Sequence, residues 1–298
     1  MILDGALATQ LQRRGASLRD PLWSARVLLE QPELIRAVHA EYFEAGADVA
    51  ITASYQASFE GFARRGIDAA GATQLLRNSV ALAIAARDEF WRDESLHGSR
   101  LRPLVAASIG PYGAILADGS EYRGHYGLSE AQLMDFHRPR LRVLAASGAD
   151  LLACETLPSL GEALALARLL QEFPETTAWM SFCCQDGERT CEGQPMAECA
   201  EGLAGFPQVI SIGINCTPPQ YAGSLLTSLR AHCDKPLLAY PNSGETYDEL
   251  TKQWHGCPDS TPLAQQALGW HSSGASLIGG CCRTTPEDIR QLRLALAP

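Results

Sequence analysis

Three related segments indicate the fold: EAGADVAITAS (44–54), ASGADLLACET (146–156) and SSGASLIGGCC (272–282). Each places a glycine after a helical pattern, where a left-handed residue commonly ends a helix. A short apolar run follows, and it does not alternate with polar residues. Such runs are typical of parallel strands covered on both faces. Each phrase therefore predicts a helix that ends and feeds a buried parallel strand.

The same pattern recurs along the whole chain. We predict strands near 1–4, 48–53, 103–109, 150–155, 177–183, 208–215, 235–241 and 275–280. Helical patterns lie at 31–46, 69–91, 129–147, 158–171, 197–205, 219–231, 262–271 and 285–296. This alternation favours an α/β fold with a single (β/α)₈ TIM barrel spanning residues 1–298. The alternative is a doubly wound sheet, but no G-x-G-x-x-G follows the first strand.

One stretch is longer than an ordinary connection between a strand and the next helix. Residues 110–128, GPYGAILADGSEYRGHYGL, are rich in glycine and aromatic residues. We predict an insertion after the third strand, of the kind that often covers a site.

Composition excludes several classes of function. The net charge of −10 offers no basic patch, so no nucleic-acid partner is expected. Apolar runs are interrupted well before the ~20 residues of a membrane span, and MILDGALATQ does not resemble a signal peptide. The ten cysteines, some adjacent, fit a reducing compartment. We therefore expect a cytoplasmic location and no membrane association.

Three cysteines close predicted strands. Cys216 ends the sixth strand in GINC, and Cys281 and Cys282 end the eighth in IGGCC. Strands six and eight are near neighbours around a barrel, so the three sulfurs would meet, with Gly279-Gly280 letting the chain leave strand geometry. Three thiolates and one open position are a zinc arrangement. Alternatively, the three are buried small side chains, and Cys183-Cys184 on strand five is a rival pair.

Such a site suits chemistry on a thiol. Three thiolates neutralise Zn²⁺ and leave a poor Lewis acid for carbonyls, but a metal-bound thiol is deprotonated. A bound thiolate is a nucleophile at neutral pH, and a site of net negative charge attracts a cationic alkyl donor. No histidine stands at a predicted strand end, because all seven fall in predicted helices or loops. That pattern argues against a zinc hydrolase.

Other strand-end residues are candidate ligands for substrate. Glu155 would hold an ammonium group, or it would simply stabilise the start of the next helix. The Asp4-Gly5-Ala6 turn would pair a carboxylate with backbone amides, or it is a plain turn. Four tyrosines are candidate contacts for a sulfonium through cation–π interactions, or they merely pack. They are Tyr55, Tyr112, Tyr122 and Tyr126.

Taken together, these motifs resemble one known family. They are DGALAT (4–9), TASYQAS (52–58), SIGPYGA (108–114), DGSEYRGHY (118–126), CETLP (154–158), GINC (213–216), YPNSGE (240–245) and GGCCRT (279–284). In this order they resemble the zinc-dependent homocysteine S-methyltransferases, which have a (β/α)₈ barrel. GINC with GGCC is the specific part of the resemblance.

The resemblance implies roles for individual residues. Cys216, Cys281 and Cys282 match the zinc ligands, which implies a structural role for Cys183-Cys184. Asp4 and Glu155 match positions that bind the homocysteine amino group. The backbone amides of Gly5, Ala6 and Leu7 would take its carboxylate, and Asn215 would touch a ligand or the substrate. The extra cysteines of CCQDGERTCEGQP (183–195), including Cys191, match nothing in this pattern.

The length and the insertion resemble the branch that uses S-methylmethionine, and often S-adenosylmethionine, as methyl donor. The implied reaction is direct transfer of the sulfonium methyl to the homocysteine thiolate, giving methionine. Three alternatives stay open: a zinc hydrolase, a protein that stores or senses metal, and a methyltransferase acting on another thiol or on a selenol such as selenocysteine.

Overall fold

A computed structural model describes residues 1–16, 24–248, 253–256 and 259–296. Seven parallel strands form its central, curled sheet in the order β1-β2-β3-β4-β5-β6-β9, and β7 and β8 form a separate antiparallel pair. The strands are β1 (Val49–Ile51), β2 (Leu104–Ile109), β3 (Leu151–Leu157), β4 (Ala178–Phe182), β5 (Val209–Asn215), β6 (Leu237–Tyr240), β7 (Thr246–Asp248), β8 (Gln253–His255) and β9 (Ala275–Ile278). Seven of the eight predicted strands are confirmed as members of this sheet.

All eight predicted helices are present, and three short helices were not predicted. The helices are α1 (Leu7–Arg13), α2 (Ser24–Glu30), α3 (Pro32–Ala45), α4 (Phe59–Ala63), α5 (Ala69–Phe90), α6 (Glu130–Ala145), α7 (Leu160–Leu170), α8 (Met196–Ala204), α9 (Ala222–His232), α10 (Leu263–Ser272) and α11 (Pro286–Leu296). The unpredicted α1, α2 and α4 have seven residues or fewer, too short for a clear helical period.

The three glycine phrases end helices as predicted, but the strand of the third phrase is only partly buried, with Ser276 exposed. Gly46, Gly148 and Gly274 have positive φ angles of 115°, 87° and 101°. In two of the phrases, the aspartate after the glycine accepts a hydrogen bond from a neighbouring segment. Asp48 accepts from the Ile2 amide and Asp150 from the Val105 amide, both at 2.7 Å. The phrases therefore end a helix and also align the start of the adjoining strand.

The first predicted strand is present only as a bridged segment. Ile2 pairs with Ile278 of β9, and Leu3 pairs with Val49 of β1, both in parallel. The Leu3 amide donates to the Ile278 carbonyl at 2.8 Å, and the Asp4 amide donates to the Val49 carbonyl at 3.0 Å. Residues 2–4 thus contact both edge strands of the seven-stranded sheet.

The two faces of the sheet have separate cores. Every residue of β3 is buried, as predicted for a strand covered on both sides. Leu152 and Cys154 pack in the large outer core with the helices, whereas Leu151 and Ala153 pack in an inner cluster. That inner cluster also holds the rings of Trp179 and Tyr240.

Two connections are long. Residues 110–129 join β2 to α6, where the insertion was predicted, and include 3₁₀ turns at Tyr112–Ile115 and Ser120–Tyr122. The connection after β6 contains the β7–β8 hairpin, which was not predicted. Within the described chain, no helix combines the length and the apolarity that crossing a membrane requires.

Gly213 fixes the approach of two central strands. It pairs with Leu238 of β6, and a Cβ at this position would lie 1.8 Å from the Leu238 carbonyl oxygen. We expect Gly213→Ala to lower the free energy of unfolding by about 3 kcal/mol, because the strands must separate. Gly269→Ala, in α10 with open space around it, should instead raise stability by about 1 kcal/mol. Urea unfolding followed by circular dichroism measures both, and equal effects would contradict the close approach.

Candidate metal and substrate site

The three predicted cysteines meet at the carboxyl edge of the sheet. Cys216 follows β5, and Cys281 and Cys282 follow β9. Their sulfur atoms all lie within 4.8 Å of one another, and the Cys216 and Cys282 sulfurs are 3.3 Å apart. Cys216 is buried, whereas Cys281 and Cys282 are half-buried. Two distant stretches of sequence thus form one sulfur cluster that remains open on one side.

The backbone holds these sulfurs through β6. The Cys216 amide donates to the Tyr240 carbonyl at 3.2 Å, and the Cys281 amide donates to the Pro241 carbonyl at 2.7 Å. Cys216 itself has a positive φ of 48°, which turns its side chain out of the strand alternation. The end of β6 therefore lies between the two cysteine-bearing segments and hydrogen bonds to both.

The two glycines before the cysteine pair have a different role from the predicted one. Neither Gly279 nor Gly280 has a positive φ, and β9 already ends at Ile278. A Cβ on Gly279 would lie 2.6 Å from Leu3 Cβ, and one on Gly280 would lie 2.3 Å from Thr284 Oγ1. Glycine is required here for close packing of residues 3–4 and 284, rather than for its freedom of φ.

The cluster stabilises negative charge on sulfur. Hydrogen bonds from the Cys281 and Cys282 thiols hold the pKa of the Cys216 thiol well below its usual value. The same contacts raise the pKa of Cys281 and Cys282. The Tyr122 hydroxyl, 3.4 Å from the Cys216 sulfur, adds a further donor.

The donor set fits a thiophilic metal ion. Sulfur ligands of a tetrahedral ion at 2.3 Å lie about 3.8 Å from one another, so contacts of 3.3 Å and below 4.8 Å need little adjustment. Three protein ligands leave a fourth position for another molecule. Cys216, Cys281 and Cys282 are therefore the residues that would hold a metal here.

Glu155 lies beside the sulfur cluster at the end of β3. It accepts hydrogen bonds from the Ser108 hydroxyl and, at 3.1 Å, from the Tyr240 hydroxyl. Burial raises the pKa of the Glu155 carboxyl to about 7, against the effect of these two donors. A charged ammonium group placed nearby would restore the ionised form, because opposite charges favour it.

Asp4 is a second buried carboxyl at the same place. Its Oδ2 accepts a hydrogen bond from the Ile51 amide at 2.9 Å. Burial raises the pKa of Asp4 well above its usual value, and Glu155 raises it further, so the two carboxyls are close. After Asp4, the helix α1 begins at Leu7 with Ala6 as its N-cap residue. The amides at this start have no partner within the helix.

Asn215 joins the ends of three strands. Its Oδ1 accepts from the Thr156 amide at 2.7 Å and from the Ser181 hydroxyl at 2.5 Å. Its Nδ2 donates to Thr156 Oγ1 at 2.7 Å and lies 3.9 Å from the Cys281 sulfur. Thr156 is held with a positive φ of 58°. Asn215 therefore fixes the backbone beside Glu155 relative to the sulfur cluster.

The four candidate tyrosines fall into two groups. Tyr122 contacts Cys216, and the pKa of Tyr55, raised mainly by burial, also responds to the charge of Cys216. Tyr112 instead packs its ring against Tyr126 at 5.3 Å and against Phe136 at 5.0 Å. Tyr122 and Tyr55 border the sulfur cluster, whereas Tyr112 and Tyr126, both within the 110–129 connection, form an aromatic cluster with Phe136.

The rival cysteine pair makes other contacts. The Cys183 thiol donates to the Glu121 carbonyl at 3.1 Å, and the Cys184 thiol lies 3.8 Å from the Met196 sulfur. Cys257 lies outside the described residues. One detail of the histidine prediction was wrong: His255 is in strand β8. The described histidines nevertheless lie away from the ends of the parallel strands.

A buried polar network beneath the 110–129 connection was not predicted. The His137 Nε2 lies 2.9 Å from Glu162 Oε1, and the Arg140 guanidinium bonds to His137 Nδ1 and to the Gly110 carbonyl. Glu162 Oε1 also accepts from the Tyr112 amide at 2.6 Å. The sequence signal was His137 and Arg140 on one helical face, three residues apart. Their partners come from other elements, which helical spacing does not reveal.

A TIM-barrel-like α/β sheet with three cysteines and two buried carboxyls at its carboxyl edge defines a class of enzyme whose site could hold a metal on three sulfur ligands. Comparison with known proteins identifies the member of that class. The family model described as homocysteine S-methyltransferase matches residues 1–296. The chain belongs to the homocysteine S-methyltransferase family, which confirms the resemblance found in the sequence.

Individual relatives agree with this assignment. Homocysteine S-methyltransferase YbgG of Bacillus subtilis is 55% identical over 292 residues, covering 98% of this chain and 93% of the relative. Homocysteine S-methyltransferase of Escherichia coli is 50% identical, covering 98% and 94%. The homocysteine methyltransferase MmuM of Escherichia coli, solved in a metallated form, superposes with a TM-score of 0.89 at 48% identity and covers 99% of this chain and 95% of that one.

The buried network makes stability depend on pH. Burial raises the pKa of the Glu162 carboxyl from 4.5 to about 7, so the folded state holds this proton more tightly than the unfolded chain. The contribution of protonated Glu162 to the free energy of unfolding is therefore lost as the pH rises from 4.5 to about 7. Over this pH range the wild type should lose at most about 3 kcal/mol of unfolding free energy through Glu162. The Glu162→Gln variant should not show this loss.

Urea unfolding of metal-free protein at several pH values measures this slope. The control is Glu172→Gln, an exposed carboxylate whose pKa is lowered by Arg138, and it should keep the wild-type slope. Parallel slopes for wild type and Glu162→Gln would show that Glu162 does not carry the effect.

Proposed function

We propose that this chain is a zinc enzyme that transfers a methyl group from S-methylmethionine, or from S-adenosylmethionine, to the sulfur of homocysteine. The observation that carries the proposal is the meeting of three cysteine sulfurs beside two buried carboxyls. The thiol of homocysteine would then be held at the three cysteines, and its ammonium group at the two adjacent carboxyls. The alternative acceptor is another thiol or a selenol such as selenocysteine, since the same sulfur cluster would serve it.

The proposal extends to the architecture. Residues 1–298 would form one domain, and the bridges of residues 2 and 3 to both edge strands would close an eight-stranded (β/α)₈ barrel. The segment 110–128 would be an insertion that borders the site, since Tyr122 touches Cys216. The nine described cysteines are unpaired, which supports a reducing, cytoplasmic setting. The proposed partners are small-molecule substrates, with no nucleic acid and no membrane.

Asp4 and Glu155 would bind the substrate ammonium group. Both carboxyls are buried and have raised pKa values, so an incoming cation would ionise them and gain charge-assisted hydrogen bonds. The amides of Gly5, Ala6 and Leu7, at the start of α1, would receive the carboxylate. Asn215 would keep Glu155 in register with the cysteines.

Cys216, Cys281 and Cys282 would hold the zinc ion. When bound, zinc would supply the positive charge that keeps the homocysteine sulfur deprotonated at neutral pH. In the transfer step, a new bond forms between the acceptor sulfur and the methyl carbon while the donor sulfur–methyl bond breaks. The donor leaves as a neutral thioether, so no covalent enzyme intermediate is needed. Tyr55 and Tyr122 border the space for a sulfonium, and Tyr112 and Tyr126 lie further along the same connection.

A donor panel tests the reaction. Homocysteine is offered with S-methylmethionine, S-adenosylmethionine, betaine or methylfolate, with and without a zinc chelator, and methionine is measured. We expect turnover with the sulfonium donors only, abolished by the chelator and restored by zinc. Selenocysteine replaces homocysteine in a parallel series, and preference for it would favour the alternative acceptor.

The metal ligands have their own test. Replacing Cys216, Cys281 or Cys282 with Ser should lower bound zinc, measured by mass spectrometry of the metal, together with activity, by at least about 100-fold. Cys233→Ser, a buried cysteine after α9, is the matched control and should keep both. A fully active variant without zinc would overturn the zinc proposal.

The ammonium site predicts a defect in binding rather than in metal content. We expect Asp4→Asn and Glu155→Gln to raise the KM for homocysteine about 10- to 100-fold, because each loses a charge-assisted hydrogen bond. Bound zinc should be unchanged. Asp48→Asn is the control, since Asp48 also accepts a strand amide but lies at the opposite end of the strands. An unchanged KM in both site variants would place the ammonium group elsewhere.

A further inference from the structure

The chain after β4 turns back on itself in a short antiparallel hairpin, which we define as residues 183–191. Cys184 pairs with Thr190 in this hairpin. The Gln185 amide donates to the Arg189 carbonyl at 3.2 Å, and the Cys191 amide donates to the Cys183 carbonyl at 3.0 Å. In this register Cys183 and Cys191 are directly opposite one another, and opposite residues point to the same face.

This register satisfies one requirement for a cross-strand disulfide, the separation of the two Cα atoms. Directly opposite residues with a hydrogen bond between them have Cα atoms about 5.5 Å apart, inside the range that a disulfide spans. After burial, the neighbouring Cys191 thiol is the main cause that raises the pKa of Cys183, so the two side chains are close. Cys183 is fully buried and Cys191 is half-buried, so only one of the pair is open to a reagent.

The Cys183 thiol supports the wall of the candidate site. It donates to the Glu121 carbonyl at 3.1 Å and lies 3.5 Å from the Thr156 carbonyl. Glu121 precedes Tyr122, whose hydroxyl contacts the Cys216 sulfur, and Thr156 follows Glu155. A change at Cys183 therefore reaches both sides of the pocket that the proposed function assigns to substrates.

We propose that Cys183 and Cys191 form a reversible dithiol–disulfide pair whose oxidation lowers the activity of the enzyme. In the disulfide, Cys183 has no S–H to donate to the Glu121 carbonyl, so the segment that carries Tyr122 loses a hydrogen bond. Reduction restores that bond. Cys184 does not take part, because it faces the opposite side of the hairpin, against Met196.

The chemistry requires an oxidant, here a low-molecular-weight disulfide such as glutathione disulfide. The sulfur of Cys191 attacks the reagent, forming a mixed disulfide and releasing one thiol. The sulfur of Cys183 then attacks the Cys191 sulfur, and the second thiol leaves. The two protein S–H protons end on the two released thiols. One S–S bond forms in the protein, and one is reduced in the reagent.

The test uses the zinc-loaded enzyme titrated with glutathione disulfide. We expect a mass loss equal to two hydrogen atoms per chain and, after digestion, a linked pair of peptides joining Cys183 to Cys191. Cleavage after Arg189 separates the two cysteines, so the link is visible as a cross-linked peptide. Methionine formation should fall about 3- to 10-fold, the effect of losing one hydrogen bond, and recover on addition of dithiothreitol.

Two variants and a measurement of bound zinc serve as controls for the titration. Cys191→Ser should have the activity of the untreated wild type and keep it during the titration. Cys233→Ser should respond to the titration as wild type does. Bound zinc should stay constant throughout the titration. A loss of zinc would indicate that the neighbouring Cys216 and Cys282 sulfurs had been oxidised instead.

A linked Cys216–Cys282 peptide with loss of zinc, or an unchanged response of Cys191→Ser, would overturn the proposal. The activity readout rests on the proposed function. The peptide link does not, so a linked pair in a protein without transferase activity would count against the proposed function and not against the disulfide.

Discussion

The hydrogen bonds that residues 1–4 make to both edge strands hold the site together. The Leu3 amide bonds to Ile278 at the end of β9, and the Asp4 amide bonds to Val49 at the start of β1. The Gly280 amide also donates to the Asp4 carbonyl at 3.1 Å. Asp4 and the Cys281–Cys282 pair are therefore positioned by one short piece of backbone. The absence of a side chain at Gly279 and Gly280 permits this contact.

A second set of constraints ties the carboxyls to the cysteines. Asn215 bonds to Thr156 and Ser181 across three neighbouring strands, and it precedes Cys216 in the chain. Buried polar groups are costly when unpaired, so this network strongly disfavours other arrangements of the strand ends. Glu155 keeps a raised pKa in the same surroundings. The site therefore combines a rigid backbone with carboxyl groups that are free to change charge.

The sequence predicted those parts that depend on local conformation. Gly46, Gly148 and Gly274 could be placed because a left-handed helix end favours glycine, and the buried strands followed from unbroken apolar runs. The convergence of the three cysteines followed from strand order. The network of Arg140 and the close packing at Gly279 could not be predicted, since each depends on partners far away in sequence, whereas the 183–191 hairpin is local and was missed. The hairpin did contain a turn signal, Asp186-Gly187, between cysteines that matched no family motif.

The hydrogen bonds of Tyr240 give this protein an internal optical reporter. The indole of Trp179 donates to the Tyr240 hydroxyl at 3.1 Å, and that hydroxyl donates to Glu155 at 3.1 Å. Trp179 is fully buried, so its emission senses its protein neighbours rather than solvent. A charge that appears on Glu155 lies only two hydrogen bonds from the indole ring. We therefore expect occupancy of the pocket to shift the fluorescence of this one of the five tryptophans, without any added dye.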